Sequence, residues 1–277
     1  MSFDLPLSHD ISDYPEGIVL PVDKPYSWTS ADLVRKLKYA AIKHFGKKNL
    51  KVGHAGTLDP LATGVMLVCI GAATKRAEAL QKSDKEYIAE LSFGATTPSY
   101  DLEKPIDAFY PLDGVSEEAL KDLLPSFVGE QEQIAPLFSA KSVDGVRAYE
   151  LARRLYRRGE AIDDSLLQRS MVTVHEIELL EFVASSPGGD GRAEPGGDDS
   201  AGTPSSRINV TDNSALGLPR ARIRVVCSKG TYIRALARDI GEALGSGAHL
   251  SGLVRTRSGS FSLEESLSLE AALALFA

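Results

Sequence analysis

Residues Gly53-His-Ala-Gly-Thr-Leu-Asp-Pro-Leu-Ala-Thr-Gly64 form the most informative stretch of the chain. Asp59 is its only acidic residue, and it contains three glycines. Glycine allows backbone conformations that are closed to other residues, and Pro60 biases Asp59 away from helix. On composition alone, the stretch is either an ordinary turn with a surface Asp or a rigid loop that holds one carboxylate for chemistry.

The segments on either side favour the second interpretation. In chain order they are Val22-Asp-Lys-Pro25, Ser27-Trp-Thr-Ser30, Asp84-Lys-Glu-Tyr87, Ser228-Lys-Gly-Thr-Tyr-Ile-Arg234 and the run from His249 to Arg255. Together with the Gly53–Gly64 string, this ordered set resembles the bacterial tRNA pseudouridine-55 synthases of the TruB type. The resemblance runs from about Gly17 to Arg257, and the string is specific to that family and its guide-RNA-dependent relatives.

The resemblance implies an enzyme that isomerises uridine to pseudouridine at position 55 in the T-loop of tRNA. The uridine must be flipped out of the folded RNA before it can react. Product and substrate contain the same atoms, so we expect no cofactor and no metal. The chain also contains no phosphate-binding loop, dinucleotide fingerprint or zinc cluster.

The expected fold class is α+β, with a mixed, largely antiparallel sheet flanked by helices and loops, the catalytic fold of pseudouridine synthases. Hydrophobic periodicity predicts helices and strands that alternate without a strict βαβ repeat. Helices are predicted at 30–45, 117–124, 148–158, 231–244 and 269–276, and strands at 17–22, 65–70, 86–93, 172–182 and 220–227.

By resemblance, Asp59 is the catalytic residue. It acts either as a nucleophile at C1′, as in retaining glycoside hydrolysis, or as a base that removes the 2′ proton. Arg234 corresponds to the family arginine that pairs with the catalytic Asp, and a nearby cation favours the ionised carboxylate. The alternative is an exposed arginine in the first turn of a helix, where the helix dipole disfavours it.

Four further residues correspond to substrate-binding positions of the family. Tyr87 would stack on the flipped base, Tyr232 and Leu253 would line the same pocket, and His54 would hold the flipped-out RNA conformation. Without the resemblance, Tyr87, Tyr232 and Leu253 would be core residues and His54 a loop residue.

The net charge of −7 is unusual for a protein that binds RNA, but the charges are unevenly distributed. Seven Lys or Arg residues and no acid lie between Arg35 and Lys51, and six lie between Lys141 and Arg158. Each run is either a solvated helix face or part of an RNA-binding surface. The segment from Pro136 to Arg153 resembles the RNA-gripping loop and helix of the family, which positions the RNA backbone.

The expected organisation is an N-terminal arm at 1–16, a catalytic domain at 17–257 and a short tail at 258–277. A segment rich in Gly, Pro, Ser and Asp at 184–219 is expected to be a flexible insertion. Bacterial members usually carry an RNA-binding PUA domain after the catalytic domain, and the residues after Arg257 are too few to form one.

No apolar run is long enough to span a bilayer, and the polar N-terminus does not resemble a signal peptide. Cys69 and Cys227 lie in apolar runs and are expected to be buried thiols, which suits the cytoplasm. The expected partner is the tRNA T-stem-loop, with no membrane, no required protein partner and a monomeric state. Two alternatives are a catalytic subunit of a guide-RNA-dependent complex and a protein that folds or binds tRNA without turnover.

Overall fold

The computed structural model describes residues 6–139, 141–143, 145–160, 164, 167, 169–185, 208 and 210–277. The described strands, in chain order, are β1 (Ile18–Lys24), β2 (Val52–His54), β3 (Thr63–Ile70), β4 (Lys85–Phe93), β5 (Ala95–Thr96), β6 (Ala108–Phe109), β7 (Gly129–Gln133), β8 (Ser142–Val143), β9 (Val146–Arg147), β10 (Ser170–Val183), β11 (Arg220–Cys227), β12 (Ala248–Ser258) and β13 (Phe261–Ser262). The described α-helices are α1 (Ser30–Phe45), α2 (Ala77–Lys82), α3 (Glu117–Leu123), α4 (Ala148–Arg157), α5 (Ile233–Ala243) and α6 (Leu269–Ala274).

The chain divides into two compact units. The first contains residues 1–87, 194–208 and 253–277, and the second contains 88–193 and 209–252. Strands β4 and β12 therefore each begin in one unit and end in the other. The mixture of helices with mostly antiparallel strand pairs confirms the expected α+β class.

In the first unit, β3 is the central strand. It pairs antiparallel with β1 along most of its length, antiparallel with β2 near its end, and parallel with β12 at Thr63 and Gly64. Helices α1 and α6 cover one face, where Leu20, Leu33 and Leu37 are fully buried. These contacts fix the loop between β2 and β3, which carries Asp59.

Helix α1 has the bounds that its hydrophobic periodicity predicts. Thr29 and Asp32 form a capping box at its start, and Gly46 ends it with a left-handed φ of 60°. Its buried face carries Leu33, Leu37, Ala41 and His44. The helix is therefore fixed at both ends and along one side.

In the second unit the strand order is β4-β11-β10-β7, with β10 antiparallel to both of its neighbours. Strand β4 covers the predicted strand at 86–93, and its Ala89, Leu91 and Phe93 are fully or almost fully buried. Helix α4 packs through Ala148 and Ala152 on a separate apolar cluster that includes Leu137 and Phe138.

Most of the expected flexible insertion at 184–219 lies outside the described residues. Its last part is bound to the second unit, which corrects the predicted boundary. Thr211 donates its backbone N–H to Leu102 O at 2.8 Å, and Pro219 O accepts from the backbone N–H of Phe93 at 2.9 Å. Low hydrophobicity hid this because the attachment uses backbone hydrogen bonds, which leave no trace in residue type.

The ends of the chain also pack into the first unit. Leu7, in the expected N-terminal arm, is buried and donates its N–H to Leu275 O at 3.1 Å. Leu269, Ala272 and Leu275 of the expected tail are buried in the same core as α1. The expected arm and tail are thus integral to the packing of this unit. None of the described helices has the length and apolarity that crossing a membrane requires.

Candidate active site

The Asp59 loop connects β2 to β3 and is held first by α1. The hydroxyl of Ser30, the first residue of α1, donates to Leu58 O and accepts from Leu58 N–H, both at 2.9 Å. The N–H of Ala62 closes a turn by donating to Asp59 O at 3.1 Å. Backbone groups on both sides of the Asp59 carboxylate are therefore fixed before any ligand binds.

Lys24 is a second anchor of this loop, at the end of β1. Its side chain is fully buried, and Nζ donates to Pro25 O and Trp28 O at 2.8 Å and to Pro60 O at 3.2 Å. Three carbonyl acceptors match the three donors of an ammonium group. Burial lowers the pKa of Lys24 to about 7, while the negative charge of Asp59 acts to raise it. Lys24 therefore holds the loop through backbone carbonyls, with its amine close enough to Asp59 to interact with the carboxylate.

Arg255 of β12 is the third anchor, and only 1% of it is exposed. Its guanidinium donates to Val65 O at 2.7 Å, and to Thr57 O and Gly56 O at 3.3 Å each. The first acceptor follows Asp59 in the chain and the other two precede it. One rigid planar group thus holds both ends of the loop.

Two of the three glycines in the loop have a clear structural reason. Gly56 and Gly64 have φ values of 100° and 104°, which disfavour any other residue. A Cβ on Gly64 would lie 2.3 Å from Arg255 O, and its N–H donates to Asp23 Oδ1 at 2.8 Å. Gly53 has neither a positive φ nor a close neighbour among the described residues, so its backbone conformation does not require glycine.

His54 lies at the end of β2 and is half-buried. Burial lowers its pKa below the usual histidine value, and the positive charge of Arg255 acts in the same direction. Its Nδ1 atom is buried and has no hydrogen-bond partner among the described residues. At neutral pH we therefore expect a neutral imidazole at this position.

Tyr87 and Leu253 also belong to the first unit. Tyr87, on β4, is only 8% exposed, so most of its ring already contacts protein. Leu253, on β12, is half-buried and lies two residues before Arg255. The stacking role of Tyr87 and the pocket role of Leu253 stay predictions.

Arg234 and Tyr232 belong to the second unit. Arg234 begins α5 together with Ile233 and is only 4% exposed, which rules out the alternative of an exposed arginine. It forms an ion pair with Asp101 at 3.7 Å and donates to Ser99 O at 3.1 Å and Phe138 O at 2.9 Å. The expected pairing of Arg234 with Asp59 stays a prediction.

Asp101 is a carboxylate that the sequence analysis did not identify. It is 7% exposed and accepts hydrogen bonds from Ser99 Oγ at 2.6 Å and from Glu103 N–H at 2.9 Å. These bonds fix its side chain, so Asp101 can orient the Arg234 guanidinium.

Tyr232 caps α5 and is fixed through Gln133 of β7. The amide oxygen of Gln133 accepts from Tyr232 N–H at 2.8 Å, and its amide nitrogen donates to Tyr232 O at 3.2 Å. The Tyr232 ring packs against the apolar cluster under α4, and Lys141 Nζ lies 6.0 Å from its centre. This residue therefore links α5 to the segment that resembles the RNA-gripping loop.

A buried ion-pair cluster fixes the base of that segment. Arg238 of α5 binds Asp164 at 3.0 Å and Asp239 at 2.8 Å and donates to Ile134 O at 3.0 Å. Asp164 in turn accepts from Leu137 N–H at 2.6 Å. Burial acts to lower the pKa of Arg238, but the hydrogen bond and charge of Asp239 outweigh it and raise the pKa.

Sequence reasoning missed the three anchors of the Asp59 loop, which are Lys24, Ser30 and Arg255, and it missed Asp101, the partner of Arg234. Lys24 had a signal, since it is a charged residue at the end of an apolar strand. Lys24, Ser30 and Arg255 also lie in the quoted family segments. Among the described residues no group of His, Cys, Asp and Glu has the arrangement of a metal site. The site therefore offers one carboxylate on a loop whose backbone is held from several sides, which suits chemistry at a sugar carbon or an acidic proton.

Models of protein families and the sequences of known proteins both match this chain. The model of the TruB family pseudouridylate synthase N-terminal domain matches residues 42–188, and that of the tRNA pseudouridylate synthase B C-terminal domain matches 234–277. A tRNA pseudouridine synthase B of Phocaeicola vulgatus is 50% identical over 93% of this chain and 92% of its own length. The protein of the same name from Deinococcus radiodurans is 40% identical over 91% of this chain and 77% of its own length.

Solved structures share the fold. A Cbf5-Nop10-Gar1 complex contains a chain that is 26% identical, with a TM-score of 0.58, and an H/ACA RNP bound to a substrate RNA containing 2′-deoxyuridine contains one that is 24% identical, with a TM-score of 0.56. Each match covers 98% of this chain but spans only 58% and 57% of the matched chains.

Proposed function

The chain belongs to the TruB family of pseudouridylate synthases, and on that premise we propose that it isomerises the T-loop uridine at position 55 of tRNA to pseudouridine. The relatives that share about half of its residues are named tRNA pseudouridine synthase B. The observation that carries the proposal is the Asp59 loop, because it holds a single carboxylate through three separate anchors.

The anchors give Asp59 a chemical advantage. Hydrogen bonds from Lys24 and Arg255 to backbone carbonyls hold the loop on both sides of Asp59. The fixed backbone removes the cost of positioning the carboxylate. Asp59 can serve either route, attack on C1′ or removal of the 2′ proton, and both routes stay open.

The other residues would bind the extracted nucleotide. Tyr87 would offer its ring to the flipped uracil, with Tyr232 and Leu253 lining the pocket. Neutral His54 would donate or accept one hydrogen bond from the RNA without adding charge. Arg234, oriented by Asp101, would stabilise the negative charge of Asp59.

The test uses purified protein and an unmodified tRNA transcript with no other component. We expect pseudouridine at position 55 by chemical mapping, and none with the Asp59→Asn variant, which keeps the size of the side chain and should still bind tRNA. Product that appears only after a guide RNA is added would favour the guide-RNA alternative. Turnover by a folded Asn variant would disprove the role of Asp59, and binding without any turnover would favour the tRNA-folding alternative.

We also propose that the protein needs no protein partner, acts as a monomer and works in the cytoplasm. Cys69 and Cys227 are buried thiols that form no disulfide with each other, which fits a reducing compartment. Light scattering of the active sample tests the monomeric state, and cell fractionation tests the location.

A further inference from the structure

Helix α1 presents a basic stripe that the catalytic site does not use. Arg35, Tyr39 and Lys43 are spaced by four residues and so lie above one another on the outer face, with Lys36 beside them. All four are exposed, and Tyr39 is 74% exposed. The opposite face of the helix is buried in the core.

The charges of this stripe are little compensated. Asp32, the only acid of the helix, forms an ion pair with Arg35, with 2.8 Å between Asp32 Oδ1 and Arg35 Nη1. Within the part of the chain that the structure describes, no carboxylate is recorded in an ion pair with Lys36 or Lys43. Such a face in a protein of net charge −7 is a local site for an anion.

An ordinary solvated helix explains only part of the pattern. Lys43 lies in the last turn, where the helix dipole favours a cation. The dipole gives no reason for Lys36 in the first half of the helix, or for an exposed aromatic ring between cations. A ring flanked by basic groups suits a nucleic acid, because the cations bind phosphates and the ring stacks on a base.

Helix α1 begins beside the catalytic loop, and the stripe begins further along the helix, at Arg35. Ser30, at the beginning of α1, binds Leu58 beside Asp59. The 16 residues of the helix span about 24 Å, so the stripe extends away from the catalytic carboxylate along a fixed axis. An RNA that places its target base at Asp59 can continue along this helix.

We propose that the outer face of α1, formed by Arg35, Lys36, Tyr39 and Lys43, is a second RNA-contact surface that binds substrate tRNA beyond the target loop. The inference rests on the proposed function, since it takes tRNA as the RNA bound at Asp59. The cations contact phosphates, and Tyr39 stacks on an exposed base or ribose.

The test compares the binding of full-length tRNA with that of a T-loop hairpin closed by a short stem. The double variant Lys36→Glu, Lys43→Glu should bind full-length tRNA roughly tenfold or more weakly, with a salt slope lower by about two. Its affinity for the hairpin should change less than twofold. Tyr39→Ala should weaken tRNA binding by about fivefold without changing the slope, because stacking releases no counterions.

The control variant Lys82→Glu, Lys121→Glu makes the same change in net charge at exposed lysines of α2 and α3. If the α1 variant binds tRNA as well as the control variant does, this face does not contact tRNA and the proposal is wrong. If tRNA and hairpin lose affinity equally, the contact is not beyond the loop, which also overturns it. Pseudouridine formation by the wild-type protein is read separately, so failure of the assigned activity is distinguishable from failure of this surface.

Discussion

Replacement of Arg255 by Met should destabilise the first unit far more than the same change at Arg257. The two residues lie two positions apart on β12, but Arg255 is 1% exposed whereas the Arg257 side chain is 38% exposed. Methionine is unbranched and adaptable, so it fills most of the vacated space. The main loss is the set of hydrogen bonds to the Asp59 loop.

The size of the effect follows from the three acceptors. The bond to Val65 O at 2.7 Å is worth about 1.5–3 kcal/mol as a bond to a charged donor, and each of the two at 3.3 Å about half as much. Removing a buried charge returns part of its desolvation cost. We therefore expect a net loss of about 3 kcal/mol, or a decrease in Tm of about 6–9 °C.

Urea unfolding followed by Trp28 fluorescence measures this effect. Trp28 is the only tryptophan and is buried in the core of the first unit, so its signal reports on the unit that contains Arg255. Among the residues that the structure describes, Arg257 donates to Gly259 O at 3.3 Å and pairs with Glu86 at 3.7 Å, and its loss should cost less than about 1 kcal/mol. Equal midpoints for the two variants would refute the anchoring role of Arg255.

The pKa of His54 is a second readout, and it reports the charge of Arg255 separately from any change in packing. Arg255 is one of the two causes that lower the pKa of His54, after burial. Arg255→Met should therefore raise the pKa of His54 toward its ordinary value, as measured by NMR titration of the folded variant. Arg257→Met should leave it unchanged.

Three further outcomes are expected. Folding lowers the pKa of Lys24 from 10.5 to about 7, so between these pH values the unfolded chain binds more protons than the folded one. Over this range the free energy of unfolding of the wild-type protein should rise with pH relative to that of Lys24→Met, by at most about 1.4 kcal/mol per pH unit. Urea denaturation at several pH values measures both free energies, and the same pH dependence in both proteins would contradict this. Tyr87→Leu should reduce turnover far more than the fraction of folded protein, and normal turnover by the folded variant would mean that Tyr87 serves only the core. Ser27 has a φ of 62°, which costs about 1–2 kcal/mol for a residue with a Cβ. Ser27→Gly should raise the Tm, because this gain exceeds the entropic cost of glycine, about 0.5–1 kcal/mol. A lower Tm would show that the Ser27 side chain stabilises the fold more than its backbone strain destabilises it.

The sequence by itself predicted the elements that depend on local patterns. Helix α1 and strand β11 have the predicted bounds. The periodicity of apolar residues acts over a few positions, and so do the capping residue and the terminal glycine of α1. The ordered motifs also predicted the family and its fold class. Asp59 was found in the same way, since a single acid in a Gly- and Pro-rich string is a local signal.

Only the tertiary structure showed what holds that acid in place. Arg255 contacts carbonyls about 190–199 positions away, and any residue can supply a carbonyl, so residue types could not reveal the contact. Arg234 and Asp101 are likewise 133 positions apart in the chain, and their ion pair could not be predicted from the sequence around either residue. Local sequence sets where the chain bends and which faces are apolar, whereas buried charges find partners only when distant strands pack together.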